Sequence, residues 1–125
     1  MKKIVVAGSR GFNNYETAKE FIITCLEKEN LTEPISFLSG GCRGSDLLGD
    51  RYAKEYGYPV EVYPAEWNRY GRGAGPIRNE RMAEEADIII CFWDGNSKGT
   101  GTLLEYARRY NKTVYLKLID NAGQM

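Results

Sequence analysis

The sequence predicts an α/β protein, a Rossmann-like three-layer sandwich built on a five-stranded parallel sheet with strand order 3-2-1-4-5. Two observations predict it. Short apolar runs alternate with segments of 3.6-residue periodicity from one end of the chain to the other. Glycine-bearing loops follow the carboxyl ends of the apolar runs, where strands hand over to helices. Parallel strands need crossover connections, and these run right-handed, so helices cover both faces of the sheet. At 125 residues the chain suits one domain, taken as residues 1–120, with a frayed tail at 121–125.

The elements follow in order. Residues 4–7 (Ile-Val-Val-Ala) read as a buried strand closed by Gly8-Ser9-Arg10-Gly11. Residues 15–29 make a helix with Ala18, Phe21, Ile22 and Cys25 on one face and Glu16, Lys19 and Glu20 towards solvent. A second strand at 35–38 ends in Ser39-Gly40-Gly41. The second helix, 45–56, has Leu47, Leu48, Tyr52 and Tyr56 as inward positions and stops at Gly57 and Pro59. The third strand is 60–63. Residues 64–75 form a long irregular stretch, and Pro76 suits the first position of a third helix reaching to about 86. The fourth strand, 88–93, is the most apolar; a fourth helix at about 102–110 and a strand at 114–118 complete the chain.

Composition excludes several chemistries. No histidine is present, which removes the general base of Ser-His-Asp and Cys-His catalysis and any histidine-ligated zinc site. Cys25, Cys42 and Cys91 are dispersed and odd in number, so neither a disulfide framework nor a metal site is expected, and no cofactor is implied. The apolar run near the N-terminus is too short for a signal peptide or a membrane span, and a cytoplasmic protein is expected. Seventeen basic and 17 acidic side chains cancel, so nothing chain-wide attracts a nucleic-acid backbone or a membrane surface.

In sheets of this kind ligands sit beyond the carboxyl ends of the strands, at the switch point between strands 1 and 4. Arg10, Arg43, Arg69, Arg72 and Arg78 fall in or beside the loops of that edge. With glycines that let a ligand approach the backbone, and helix N-termini that carry partial positive charge, the edge suits an anion, with phosphate expected near Gly8, Gly41 and Gly99. Two nucleotide motifs fail. Gly8-Ser9-Arg10-Gly11 is not G-x-G-x-x-G, strand 2 ends in glycines where a dinucleotide fold has an acid, and no G-x-x-x-x-G-K-[ST] occurs.

Taken in order, the loops resemble the SLOG superfamily, most of all its small YspA-like branch. The matching residues are Gly8-Ser9-Arg10-Gly11-Phe12, Ser39-Gly40-Gly41-Cys42-Arg43-Gly44-Ser45-Asp46, Ala65-Glu66-Trp67, Gly73 through Met82, Ala86-Asp87, Phe92-Trp93-Asp94-Gly95 and Ser97 through Thr102. The resemblance implies a nucleotide or nucleotide-derived ligand in the crevice, on a protein that acts as a sensor or carries out uncharacterised chemistry. Its LOG relatives, phosphoribohydrolases, carry P-G-G-x-G-T-x-x-E and R-K-x-x-M segments. Gly99-Thr100-Gly101-Thr102-Leu103-Leu104-Glu105 matches the later part of the first, with Ser97-Lys98 where Pro-Gly would stand. Arg78-Asn79-Glu80-Arg81-Met82 matches the second, with Asn79 replacing lysine. Resemblance thus implies Glu105 and Arg78 as catalytic residues, if the protein hydrolyses an N-glycosidic bond, and a homodimer. DprA-like binding of single-stranded DNA is a further alternative, opposed by the neutral charge.

The residues themselves allow these roles and rival ones. Gly99 and Gly101 leave room for phosphate at the start of the fourth helix, Thr100 and Thr102 add donors, and Glu105 lies a turn further on. A carboxylate near a ribose carbon can stabilise an oxocarbenium-like centre, but Glu105 can equally pair with Arg108 or Arg109 along the helix. Asp46 suits ribose hydroxyls or the helix's first turn. Asp94 suits a ligand or an Asp-Gly turn. Trp67 and Tyr70 can stack on a base or pack their own loop.

Overall fold

In the computed structural model, which describes residues 1–9, 11–40 and 45–119 (residues 45 and 46 as backbone), strand β1 (Lys2–Gly8) occupies the middle of the sheet. It pairs in parallel with β2 (Ile35–Ser39) on one side and β4 (Ile88–Trp93) on the other. β3 (Val60–Val62) and β5 (Thr113–Leu118) form the edges, giving five parallel strands in the order β3-β2-β1-β4-β5, as the sequence predicts.

Side chains alternate across a strand, so β1 divides its residues between two cores. Ile4 and Val6 join Phe37, Ile88, Ile90 and Phe92 under α1 (Tyr15–Glu29) and α2 (Ser45–Glu55). Val5 and Ala7 join Leu38, Ile89 and Cys91 under α4 (Ala74–Glu85) and α5 (Lys98–Arg109). Both faces of the central strands are dry, which is why those strands read as continuous apolar runs. The ring of Phe92 is wholly buried and stacks on Phe12 with centroids 5.0 Å apart. Truncating such a ring to Ala typically costs about 3–5 kcal/mol.

Local signals account for most boundaries. Asn14 caps α1 by accepting from the Thr17 N–H at 3.1 Å, and Asn30 ends it in the left-handed conformation at φ 49°. In α2 the buried stripe is Leu48, Tyr52 and Ala53, with Gly49 against the sheet. Leu47 and Tyr56, expected inward, are 48% and 44% exposed. The reason is the close approach at Gly49, where an added Cβ would lie 2.5 Å from the Val6 Cβ; this rotates the helix so that Tyr56 lies over Tyr52 instead, with centroids 4.6 Å apart.

Three further expectations are corrected. The 64–75 stretch is largely helical, with α3 (Trp67–Tyr70) and a 3₁₀ turn (Gly71–Gly73) running into α4. Pro76 is the third residue of α4, not its first. The leading N–H groups of a helix have no acceptor inside it, so the missing proline N–H loses nothing there, and Gly75 before it lacks the Cβ that would clash. Last, α5 begins at Lys98, four residues before the expected start, because Gly99 and Gly101 enter its first turns instead of preceding them. The proposed frayed tail lies outside the described residues. No helix among the described residues is long and apolar enough to cross a membrane.

Candidate functional site

Helix α1 leaves β1 towards one face of the sheet and α5 leaves β4 towards the other, so a crevice opens beyond the carboxyl ends of these neighbouring strands. Gly8 closes β1 opposite Phe92. Ser9 follows, 1% exposed, and stitches the two strand ends together. Its N–H donates to the Phe92 carbonyl at 2.9 Å, and its Oγ accepts from the Asp94 N–H at 3.1 Å and lies 3.1 Å from Ser97 Oγ. Asp94 Oδ1 accepts from the N–H groups of Asn96 and Ser97, both at 2.8 Å, while Oδ2 accepts from Ser97 Oγ at 3.0 Å. These bonds are those of a turn-forming aspartate, and they set the angle at which α5 starts.

At that start, the first intrahelical bond runs from the Gly101 N–H to the Ser97 carbonyl at 3.1 Å, and the N–H groups of Lys98, Gly99 and Thr100 precede it. The Ser97 carbonyl also accepts from the Trp93 indole N–H at 3.0 Å. Gly99 is exposed, and a Cβ placed on it would meet no atom within 4 Å. Packing therefore does not require glycine there. Gly101 instead sits 3.5 Å from the Trp93 ring by the same measure. Thr100 is buried, and the Thr102 hydroxyl donates back to the Lys98 carbonyl at 2.9 Å.

The end of β2 is clasped from both faces. From α4, Arg78 is only 8% exposed; its Nη1 donates to the Gly40 carbonyl at 2.8 Å and its Nε to Asn79 Oδ1 at 2.9 Å. Asn79 Nδ2 reaches the Gly99 carbonyl at 3.5 Å, so Gly40, Arg78, Asn79 and Gly99 form one connected run. From α2, the partly buried Asp50 accepts from Ser39 Oγ at 3.0 Å. Burial raises the Asp50 carboxyl above its ordinary value, and the Ser39 hydroxyl draws it partly back. Sequence reasoning passed over Asp50; the spacing of four from Asp46, on the helix that follows a glycine loop, was the available signal.

Arg78 and Glu105 each line a separate pocket. Arg78 lines a cavity of about 200 Å³ with Val62, Tyr63, Tyr70, Ile77 and Arg81. Burial, then the neighbouring Glu61, raises the Tyr63 hydroxyl. The exposed Glu105 lines an open groove of about 590 Å³ on the outer side of α5, with Trp93, Lys98, Thr102 and Arg108. No ion pair to Glu105 forms among the described residues, so its alternative role of pairing with Arg108 or Arg109 along the helix is not seen there. Trp67 is 57% exposed and sits on α3 near Gly75, while Tyr70 lines the Arg78 cavity. Arg10, Gly41 and Gly44, and the side chain of Asp46, lie outside the described residues.

Comparison with known proteins gives two matches. The family model YAcAr, described as the YspA, cpYpsA-related SLOG family, matches residues 2–70, which contain β1, the glycine loops after β1 and β2, and α2. The gene 61 protein of Mycobacterium phage D29 is 29% identical over 115 residues, covering 87% of this chain and 90% of its own length. No solved structure matches.

Proposed function

Given that the chain belongs to the YspA, cpYpsA-related SLOG family, we propose that it binds a nucleotide or nucleotide-derived small molecule, with phosphate at the start of α5 in the crevice between β1 and β4. Gly99 is the observation that carries this reading. It lies where a helix begins beside the switch point, it is exposed, and no neighbour in the protein occupies the space a side chain would take. A glycine that packing does not demand, at a helix N-terminus, fits a backbone that a phosphate must approach closely. The Ser9–Asp94–Ser97 bonds hold that approach in place before any ligand arrives, which lowers the ordering cost of binding.

Binding without hydrolysis is the better-supported form of the proposal. An N-glycosidase acting through both Arg78 and Glu105 needs them at one sugar, whereas one lines the cavity beside β3 and the other the groove outside α5. A sensor that reports a nucleotide needs no such pair.

Gly99→Ala tests the site. Alanine adds a methyl group into open space and is the better helix former, so the variant melts no lower than wild type. Ribonucleoside 5′-monophosphates at millimolar concentration raise the wild-type melting temperature, because any ligand bound only by the folded state does so. In Gly99→Ala the affinity falls about tenfold or more, equivalent to about 1.4 kcal/mol. Wild-type melting indifferent to every nucleotide and to inorganic phosphate, or equal affinity in the variant, refutes the proposal.

A further inference from the structure

In parallel sheets that bind dinucleotides, an acidic side chain at the carboxyl end of the second strand takes ribose hydroxyls. The present β2 ends in Ser39-Gly40, with no acid following, and on sequence grounds that role stands empty. The folded chain supplies a carboxylate to the same place from a different element. Asp50, in the second turn of α2, reaches back to the strand end and accepts from Ser39 Oγ at 3.0 Å. Its position is tightly determined. The preceding Gly49 lies so close to β1 that a Cβ on it would stand 2.5 Å from the Val6 Cβ, so α2 cannot slide along the sheet without separating from it. Ser39 is itself 1% exposed at the strand terminus.

We infer that Asp50 is a ribose-binding carboxylate, accepting hydrogen bonds from the hydroxyl pair of the ligand's sugar at the carboxyl end of β2. The inference rests on the nucleotide-binding reading above and adds to it the class of sugar. Its chemistry is that of an acceptor with capacity to spare. A carboxylate offers about four lone-pair sites, and among the described residues Ser39 Oγ is its one hydrogen-bond partner. A hydroxyl pair supplies two donors, and both find acceptors on one planar group. No cation among the described residues pairs with Asp50, so the group is not held there by a salt bridge. A partly buried carboxylate whose one hydrogen-bond partner among the described residues is a serine hydroxyl is costly to keep. Hydroxyl donors from a ligand remove that cost on binding, which turns a local destabilisation into discrimination between sugars.

The test compares each 5′-ribonucleoside monophosphate with its 2′-deoxy and 3′-deoxy counterparts by calorimetric titration, in wild type, Asp50→Ala and Asp50→Asn. Wild type prefers the best-bound ribonucleotide over either deoxy form by about tenfold or more, the size of effect expected for a hydrogen bond to a charged group. Asp50→Ala brings that ratio to within about twofold of unity: it weakens the ribonucleotide most and each deoxy form less, because each deoxy form still gives one hydroxyl to the carboxylate. Asp50→Asn preserves the shape and the Ser39 bond, so it separates loss of charge from loss of fold; it lowers the ratio without abolishing it. A ribose preference retained in Asp50→Ala, or absent from wild type that binds both forms equally, overturns the inference and leaves nucleotide binding standing. Wild type that binds no nucleotide at all overturns both, and Gly99→Ala then has no affinity to lose.

Discussion

A carboxylate held partly out of water without a cation to pair with is unstable in its charged form, and among the described residues no cation pairs with Asp50. Because burial raises its folded pKa above the unfolded value, the folded state holds the proton more tightly. Stability therefore falls as pH rises through the interval between the two values. Asp50→Asn removes the charge and keeps an acceptor for Ser39. It should melt above wild type at pH 7, with the difference shrinking as the pH is lowered towards 4 and below. Thermal melts of both proteins across that range check this, and equal melting temperatures at pH 7 remove burial as the cause. Higher stability combined with weaker ribose discrimination is the behaviour of a site that gives up stability for function. Cys25 shows the same physics without a function: burial pushes its thiol up to about 11, which keeps it protonated and unreactive.

Among the elements, α2 shows how a single glycine decides a helix's rotation. Apolar periodicity along 45–56 leaves Leu47 and Tyr56 as plausible core positions as much as Leu48 and Tyr52. The choice is made by Gly49, whose missing side chain lets α2 touch β1 at Val6, and by nothing in the periodicity. Gly49→Ala should then lower stability by about 1–3 kcal/mol, the usual range for overpacking, despite the better helix propensity of alanine. Chemical denaturation measures it; a variant as stable as wild type would mean that α2 moves away freely. Opposite behaviour at two glycines, destabilising at Gly49 and neutral or stabilising at Gly99, separates a glycine kept for packing from one kept for a ligand. The run Gly40–Arg78–Asn79–Gly99 likewise joins the end of β2 to α4 and α5 by hydrogen bonds between residues up to 38 positions apart in the sequence, and only the fold makes it visible.

For the whole molecule, zero net charge limits what can bind. Single-stranded nucleic acid is held chiefly by phosphate neutralisation, with a logarithmic salt slope of about −0.7 per contact, and a chain of balanced charge offers it only where basic side chains cluster. Filter binding with a single-stranded oligonucleotide at low and at physiological salt should show at most weak retention that vanishes as salt rises. A dissociation constant below about 1 µM at physiological salt would instead indicate a specific nucleic-acid site.

Strand order, the alternation of elements and the edge that bears the glycine loops were all legible in the sequence, because burial on both faces writes strands as apolar runs and crossovers leave few topologies open. Gly8, Ser9, Asp94 and Gly99 were legible as an edge set for the same reason, since each follows the end of a strand or begins a helix. Periodicity could not tell where α5 starts, because glycine is a poor guide when it sits inside a first turn whose amides have no helical partners. Nor could it separate Arg78 from Glu105, which face different sides of packed helices, or bring Asp50 to the end of β2. Sequence order determines which residues lie at the carboxyl edge of the sheet. Which of them meet there depends on the rotation of each helix about its axis, and that is decided by close contacts such as Gly49 on Val6, between residues far apart in the chain.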